Sequence, residues 1–393
     1  MKTHILSILS VIASVLASAS SCVYPFEAEL EGDSGTFVIE GDIIIGNVMP
    51  VSLSYTASVS TPKAVEYPEN ASVWVEDDRG GRYDGRFVSK GLYSVDMTEA
   101  DPGLNYRLMV TNGDTGLEYA SAWEKVCKAP QIDSLSYIVN EGKDRLDIAL
   151  SMHSEGESYF RWKYREDWEF HTIYRAYVKY IPPSGYGSIT NPGTVEDFVY
   201  PENNYYCWKH EDSKEIMTFS TESQTEDRFV DLAFHSIPRT DRRISMLYHI
   251  EVELEPVSKD AYLYWENMKR NSEYNGNLFS PNPSEMLGNI RCLNDTTDVV
   301  FGYINVAQVD TESLFFNNSE LMFYKNKDNS QDEPLELSGS REWFSMYKSG
   351  LLPYDYKSVS DRNTTLWAPA SQVDCTCMGG TKQKPSYWPN DHQ

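Results

Sequence analysis

The sequence is short of basic residues for a chain of its length. It has 34 Lys and Arg against 59 Asp and Glu in 393 residues, which gives a formal net charge of -25 at pH 7. Nucleic-acid binding depends on Lys and Arg that neutralise phosphates, so this balance excludes a nucleic-acid partner. It also argues against electrostatic attachment to anionic lipid, and an acidic surface of this kind mainly serves solubility.

Long hydrophobic runs are also absent, except for one at the start of the chain. Residues 5–16 are apolar but too few to span a bilayer, and Lys2 precedes them. The small residues at 17–21 lead into Cys22, as a lipoprotein signal peptidase requires. We therefore predict a signal peptide over residues 1–21 and acylation of Cys22, with palmitate among its acyl chains. The alternative is an ordinary secretory cleavage site followed by a chance cysteine.

The residues after Cys22 bear on where this lipid would be inserted. Residue 23 is valine, so the aspartate that marks retention in the inner membrane is missing, and the cell outer membrane is favoured. The acidic residues that often follow the cysteine of surface lipoproteins arrive late, at Glu27 and beyond. Both the periplasmic face and the cell surface therefore stay open. Residues 22–34 are predicted to form a tether, and several acyl chains would hold it permanently.

Recognisable catalytic and cofactor motifs are missing. The sequence has no His-Glu-x-x-His, no Gly-x-Ser-x-Gly and no phosphate-binding glycine loop, and its histidines are scattered. His210, Glu211 and Asp212 have side chains that can ligate metals, but we interpret them as part of a solvated loop. The sequence thus predicts a protein that is not an enzyme and that holds no cofactor and no metal.

Cysteines are few, and their number is odd once Cys22 is set aside. Five remain, so at least one thiol is free or pairs with another chain. Cys375 and Cys377 are too close for an easy mutual bridge. We expect one of the two to pair with Cys207 or Cys292, in an exported compartment that permits disulfides.

The alternation of apolar and polar residues predicts a mainly β fold. Residues 51–55 and 71–75 alternate with period two, and Asn112 and Gly113 are typical of a hairpin turn. Roughly seven short strands at this spacing predict an immunoglobulin-like or transthyretin-like β-sandwich over residues 35–127.

Pro130 marks the predicted boundary to a second β-rich domain over residues 128–393. Strand patterns recur there, for example at 248–254. One conspicuous helix is predicted near 258–275, with Ser258 as its N-cap and an aromatic-rich apolar stripe. We interpret that stripe as packing on the second sheet. The domain closes with a tail that contains Trp388.

Tyrosine is abundant, with 27 residues in the chain. The stretch from 180 to 206 combines tyrosine with glycine and proline, which predicts a loop. Tyrosines give rigid, amphipathic contact area, so the loop is a candidate ligand-binding site. Its candidate residues are Tyr186, Tyr200, Tyr205 and Tyr206. The alternative is that these rings fill sandwich cores.

Short motifs recur in a characteristic order along nearly the whole mature chain. They are Cys22-Val23-Tyr24-Pro25-Phe26, Cys207-Trp208, residues 258–266, residues 276–283, Gly288-Asn289-Ile290, residues 300–303, Asp374-Cys375, Gly379-Gly380-Thr381 and residues 384–389. We expect Gly276, Gly288 and Gly302 to mark close backbone approaches or positive φ. Trp388 is expected to dock the C-terminal tail onto the domain.

This series resembles the Bacteroidota lipoprotein family catalogued as domain of unknown function 4249. The resemblance implies an outer-membrane or cell-surface lipoprotein, often a companion of TonB-dependent outer-membrane receptors, and it brings no catalytic residues. The chain departs from the family at Gln372, where relatives often have a cysteine; Cys377 is the nearest substitute.

Two functions follow as expectations. The first is a non-catalytic binding or accessory subunit of a TonB-dependent receptor or uptake system, held to the outer membrane by its lipid. The second is a structural or adhesive cell-surface protein. An enzyme is the least favoured reading, and the ligand is not readable from the sequence.

Overall fold

The computed structural model describes residues 35–57, 64–198, 204–273, 288–325, 334–358 and 360–390. The predicted signal peptide, Cys22 and the tether lie outside these residues, as do Tyr200 and the motif at 276–283. Within the described residues the protein is mainly β, which confirms the predicted fold class.

The N-terminal unit is built from nine short strands. They are β1 (Phe37–Gly41), β2 (Ile43–Ile44), β3 (Val48–Tyr55), β4 (Ala71–Asp77), β5 (Arg82–Ser89), β6 (Leu92–Asp96), β7 (Asn105–Asn112), β8 (Leu117–Ser121) and β9 (Glu124–Lys125). Strand β5 joins the group of β4, β7 and β8 to the group of β1, β3 and β6, because it pairs with β4 at one end and with β6 at the other. Alternate side chains such as Ile39, Val51 and Leu53 point inward and are fully buried.

Three later strands complete this unit: β19 (Ile290–Cys292), β20 (Val300–Phe301) and β21 (Val306–Ala307). β19 pairs with β8, while β20 and β21 run parallel to β1 and β2. This differs from the sequence-based boundary, which placed everything from 128 onward in the C-terminal domain. Strands of two or three residues are too short to show a period, and their partners lie far away in the sequence.

The central unit consists of two sheets that share one core. Its strands are β10 (Gln131–Asn140), β11 (Arg145–His153), β12 (Tyr159–His171), β15 (Tyr206–Asp212), β16 (Met217–Ser220), β17 (Arg228–Pro238), β18 (Leu247–Pro256) and β22 (Asp310–Asn317). One sheet has the order β10-β11-β17; in the other, β15-β12-β18-β22 is joined by β16. Ile148 from the first and Trp162 and Ile250 from the second pack in the shared core.

A smaller peripheral unit lies beside the central one. It contains the hairpin β13 (Val178–Ile181) and β14 (Thr194–Asp197), and the sheet of β23 (Leu335–Ser338), β24 (Leu351–Ser358) and β25 (Asp361–Pro369). Tyr354 and Ala368 are buried in its core. The sequence placed all of these residues in one C-terminal domain.

The described residues include four α-helices: α1 (Lys259–Glu273), α2 (Asn318–Leu321), α3 (Trp343–Lys348) and α4 (Ala370–Val373). Only α1 is long, and it confirms the helix predicted near 258–275. The Ser258 hydroxyl accepts a hydrogen bond from the Ala261 backbone N–H at 3.2 Å, as expected of an N-cap. Ala261 is fully buried beside Val257 and Tyr303, so the helix packs against both larger units.

Candidate binding cleft between the N-terminal and central units

A cleft of about 750 Å³ lies where the N-terminal unit, the central unit and helix α1 meet. Its walls come from the β1–β3 region, from strand β12 and from α1, with the segment 301–303 between them. The volume falls within the range of about 300–1,000 Å³ that is usual for ligand sites. We therefore take this cleft as the candidate site.

Strand β12 supplies the cations of the cleft. Arg161, Lys163 and Arg165 are two residues apart, so the pleat places them on one face of the sheet. The neighbouring strand β18 is in register and sets Glu255, Glu253 and Glu251 opposite them, in that order. The Arg165 guanidinium reaches Glu251 at 3.1 Å. The alternate residues, such as Trp162, face the opposite way into the core.

Arg161 forms the buried end of this ladder and is 4% exposed. Its Nη2 donates to Asp42 of the N-terminal unit and to Glu255 Oε2 of the central unit, the latter at 2.5 Å. Burial opposes the charge on Asp42, but Arg161 and Lys163 outweigh it and hold the pKa of Asp42 below its usual value. Burial raises the pKa of Glu255, and the nearby Asp42 charge adds to this.

Asn305 completes the contact between the two units. Its side-chain amide donates to Glu255 Oε1 at 2.7 Å and to the Pro256 carbonyl at 3.0 Å. Its backbone N–H donates to Asp42 Oδ1 at 3.4 Å. Asn305 lies in the segment that returns to the N-terminal unit, so this network ties the two units together at the floor of the cleft.

Two N–H donors at the cleft wall have no acceptor among the described residues. They are Arg161 Nε and Trp265 Nε1, and both are shielded from solvent. The Arg161 guanidinium carbon lies 4.5 Å from the centre of the Trp265 ring, so the two side chains stack. A buried donor without a partner is costly and is rare in folded proteins. At the wall of a cleft, a bound water or a ligand can supply the missing acceptor.

The family-like motifs at 258–266 and 300–303 build the aromatic wall of the cleft. Tyr264, Trp265, Phe301 and Tyr303 all line it. The rings of Tyr264 and Tyr303 are 5.4 Å apart and those of Tyr264 and Trp265 are 5.2 Å apart. Trp265, Tyr264 and Tyr303 therefore form one continuous aromatic contact, and Phe301 lines the cleft beside them.

Two glycines hold this wall against strand β1. Gly302 has φ +135°, and a Cβ there would collide with the Ile39 carbonyl oxygen. A Cβ on Gly288 would collide with the carbonyl oxygen of Gly302 itself. The close backbone approaches predicted at these two positions are confirmed.

The C-terminal tail crosses the same face of the sheet next to the cleft. A disulfide joins Cys207 to Cys375, and Thr381 pairs with Trp208 through two backbone hydrogen bonds of 2.8 and 2.9 Å. Trp388 is 3% exposed and donates from Nε1 to Glu169 Oε2 at 3.0 Å. The predicted docking of the tail by Trp388 is confirmed.

Asp167 is the second anchor of the tail. The Tyr387 hydroxyl donates to its Oδ2 at 2.5 Å, and His210 Nδ1 lies 2.9 Å from its Oδ1. Burial opposes the charge on Asp167, but the close approach of His249 Nδ1, at 3.6 Å, and the hydrogen bonds with Tyr387 and His210 outweigh it and lower the pKa of Asp167. His210 lies on strand β15, so its interpretation as part of a solvated loop was wrong. Its position is set by the pairing of β15 with β12, which the local composition of the sequence does not reveal.

The other three cysteines in the described part of the chain form no disulfide. Cys127 is half-buried, Cys292 is buried and Cys377 is exposed. The bridge between Cys207 and Cys375 is one of the pairings that the sequence left open. Cys292 sits in the N-terminal core on β19, away from the other candidates.

The structure describes three of the four tyrosines of the predicted loop site: Tyr186, Tyr205 and Tyr206. Tyr186 lies on the turn of the β13–β14 hairpin and is 94% exposed. Tyr205 instead stacks on His171 at 4.9 Å, with Tyr206 edge-on at 4.7 Å. None of these residues lines the cleft, and Tyr200 lies outside the described residues.

The sequence analysis also did not predict a second polar cluster, which lies on the core side of the sheet that contains β12. Glu166 accepts hydrogen bonds from Arg243 at 2.9 Å and from Tyr248, and His235 Nε2 lies 3.0 Å away. Tyr164 contacts the other nitrogen of His235, but burial raises the pKa of Tyr164 to about 12, so it is a poor nucleophile. The cluster is paired throughout, which suits a structural role.

No arrangement of three or more His, Cys, Asp and Glu suited to a metal ion occurs among the described residues. In the same residues no helix has the length and apolar character needed to cross a membrane. What the cleft offers chemically is hydrogen bonding, aromatic contact and paired charges.

These features define a mainly β protein of several sheets with a polar cleft between its two larger units. The profile of one family, the domain of unknown function DUF4249, matches residues 23–313. Because this match covers most of the chain, the protein belongs to that family, and the resemblance inferred from the motifs is confirmed.

No curated protein matches this chain. Among solved structures, a DUF4785 family protein from Legionella pneumophila subsp. pneumophila str. Philadelphia 1 is similar at 7% identity and a TM-score of 0.16, over 57% of this chain. The chain spans about half, 51%, of that protein. A likeness at this level supports no conclusion about function.

Proposed function

We propose that this protein is a non-catalytic outer-membrane lipoprotein that binds a ligand in the cleft and works as an accessory subunit of a TonB-dependent uptake system. The observation that supports binding is the 750 Å³ cleft, with two buried N–H donors at its wall that have no acceptor in the described part of the chain. The membrane location rests on the sequence at Cys22, and the receptor partnership rests on the family resemblance.

The arrangement of the chain supports this proposal physically. Thirteen residues, 22–34, separate the predicted lipid from the first described residue, Gly35. Extended, they would reach about 45 Å, at roughly 3.3–3.6 Å per residue. The folded units could then sit beside a membrane partner without contacting lipid, which suits a strongly acidic protein.

Replacing the acylated cysteine tests the membrane location. Cys22→Ala should move the protein from the membrane fraction to the soluble fraction, because no other sequence segment is long and apolar enough to hold it. The readout is immunoblotting after fractionation, with radiolabelled palmitate incorporation beside it. Cys377→Ala is the matched control, since it removes an exposed free thiol and should leave both readouts unchanged. Retention of Cys22→Ala in the membrane contradicts the proposal.

The receptor partnership is tested by purifying the lipidated protein in mild detergent. We expect an outer-membrane receptor of the TonB-dependent class to co-purify in stoichiometric amount. Recovery of the protein with no such receptor contradicts the accessory role.

An adhesive surface protein is the second candidate. The observation in its favour is the hairpin tip, where Tyr186 is 94% and Ile189 70% exposed. Loss of adhesion by a Tyr186→Ser variant that still binds its receptor would favour this alternative.

A further inference from the structure

The charges that line the cleft nearly cancel. Arg161, Lys163 and Arg165 supply three positive charges, and the lining carboxylates supply four negative ones, from Glu40, Asp42, Asp212 and Glu253. Lys163 Nζ lies 3.6 Å from Asp42, and Arg165 is paired with Glu251, so no cation stands alone. An anionic ligand would meet the carboxylates and a cationic ligand would meet the arginines. The lining therefore favours an uncharged ligand.

Hydrogen-bonding groups of both kinds are available to such a ligand. Arg161 Nε and Trp265 Nε1 have no acceptor among the described residues, and a ligand oxygen that entered beside the stacked pair would supply one. Glu253 and Asp212 line the same cleft and can accept from ligand O–H groups. A hydroxyl group can accept from the N–H donors and donate to the carboxylates, so it suits both kinds of group.

Aromatic rings make up the rest of the wall. Tyr264, Trp265 and Phe301 present apolar surface beside the charged ladder. A ligand that uses the whole cleft must therefore have apolar C–H faces as well as many hydroxyls. Polar groups and rings interleave along the wall, and sugars have the same mixture on each ring.

We propose that the cleft binds a neutral carbohydrate, with Trp265 and Arg161 donating to its oxygen atoms. This inference rests on the proposed function of the cleft as a ligand site. It goes further by naming the chemical class of the ligand. Acidic oligosaccharides and peptides are expected to bind more weakly.

The test is binding of the purified protein, residues 23–393, to a printed array of neutral oligosaccharides. The same array has uronic-acid and sialylated oligosaccharides, and a second array presents peptides. Dissociation constants for the best ligand are then measured by calorimetry. We expect neutral oligosaccharides to be retained above both other classes.

The variant Trp265→Phe keeps an aromatic ring but removes the indole N–H. We expect it to weaken binding at least ten-fold. The control is Trp123→Phe, since Trp123 is half-exposed outside the cleft and stacks with Arg107 at 4.6 Å; it should bind as the wild type. Thermal melting of both variants separates lost binding from lost folding, and Lys163→Met supplies a second cleft variant if Trp265→Phe melts early.

Three outcomes overturn the inference. They are retention of no neutral oligosaccharide, preference for acidic oligosaccharides or peptides, and unchanged affinity in the cleft variant that folds. Receptor co-purification does not depend on the indole N–H. If Trp265→Phe still brings down the receptor while carbohydrates fail to bind, the carbohydrate assignment fails and the accessory role stands.

Discussion

At the scale of single residues, the cleft depends on positions where only a hydrogen fits. Gly302 combines a positive φ with contact to the Ile39 carbonyl oxygen, and Gly288 packs on Gly302 in turn. Both belong to motifs that the family resemblance picked out. These glycines fix the spacing between the aromatic wall and strand β1, so they act on the cleft without touching a ligand.

We predict that Gly302→Ala destabilises the protein by at least about 2 kcal/mol, because the added Cβ meets backbone that cannot move aside. Gly142→Ala is the control: its Cβ would meet only the Asn140 side chain at 3.9 Å, and its effect should stay within about 0.5 kcal/mol. Urea unfolding followed by tryptophan fluorescence measures both. Equal midpoints for the two variants would show that the contact is not rigid.

Burial also determines which N–H groups of Trp265 and Arg161 find an acceptor. Trp265 and Arg161 stack on each other, yet each keeps one N–H without an acceptor in the described structure. Neither residue type is unusual in a sequence. Their value as site residues appears only in the folded structure, where Asp42 and Glu255 both accept from Nη2 of Arg161 and leave its Nε unpaired.

At the scale of elements, strand β12 connects most of the features described. One of its faces contributes Arg161, Lys163 and Arg165 to the cleft and then Asp167 and Glu169 to the C-terminal tail. The other face contributes Trp162 and Phe170 to the core. A thirteen-residue strand with strict period two can therefore serve the core, the cleft and the tail at once.

The disulfide is the strongest tie between the tail and this sheet. It spans 168 residues of sequence, so the open chain gains much freedom when the bond is lost. We predict that Cys207→Ser with Cys375→Ser lowers the free energy of unfolding by about 2–5 kcal/mol. Urea unfolding measures the loss, and limited proteolysis should cut first after residue 375.

The control for that experiment is Cys377→Ser. Cys377 is an exposed, unpaired thiol only two residues away, and its replacement should change stability by no more than about 0.5 kcal/mol. If the double serine variant and this control unfold at the same urea concentration, the bridge contributes nothing to stability.

At the scale of the whole molecule, the N-terminal and central units are joined through buried charges. Asp42 and Asn305 come from one unit, and Arg161 and Glu255 come from the other. A buried ion network adds little net stability compared with an apolar contact, but breaking it is costly because an unpaired charge is left behind. The network therefore fixes how the units meet, and with it the shape of the cleft.

We predict that Asp42→Asn destabilises the protein by about 1–3 kcal/mol, because it weakens a charged hydrogen bond to Arg161 while Glu255 stays as the partner of Arg161 in the buried site. The two units should then melt in separate steps in calorimetry, where the wild type melts in one. Asp84→Asn is the control, because its pair with Arg82 is exposed and is worth about 0–1 kcal/mol. A single unshifted transition in Asp42→Asn would argue against a network that couples the units.

Features that depend on neighbouring residues could be predicted from the sequence, and contacts between distant segments could not. Helix α1, its Ser258 cap and the strands at 51–55 and 71–75 rest on local periodicity, and they were predictable. The cleft was missed, although the alternation of Arg161, Lys163 and Arg165 and of Glu251, Glu253 and Glu255 is visible in the sequence. What Asp42 contacts depends on Arg161, which is 119 residues away in the sequence, and β12 pairs with a strand that begins more than 70 residues after it.

The sequence by itself determined the mainly β class, the family and the expectation of a lipid at Cys22. These depend on composition, short-range periodicity and the order of motifs, which the chain retains before it folds. Only the tertiary structure decided that residues 290–307 return to the N-terminal unit, that Cys207 pairs with Cys375, and that a cleft opens beside Arg161. Each of these is a contact between distant segments, and its energy comes from burial and pairing that exist only in the folded protein.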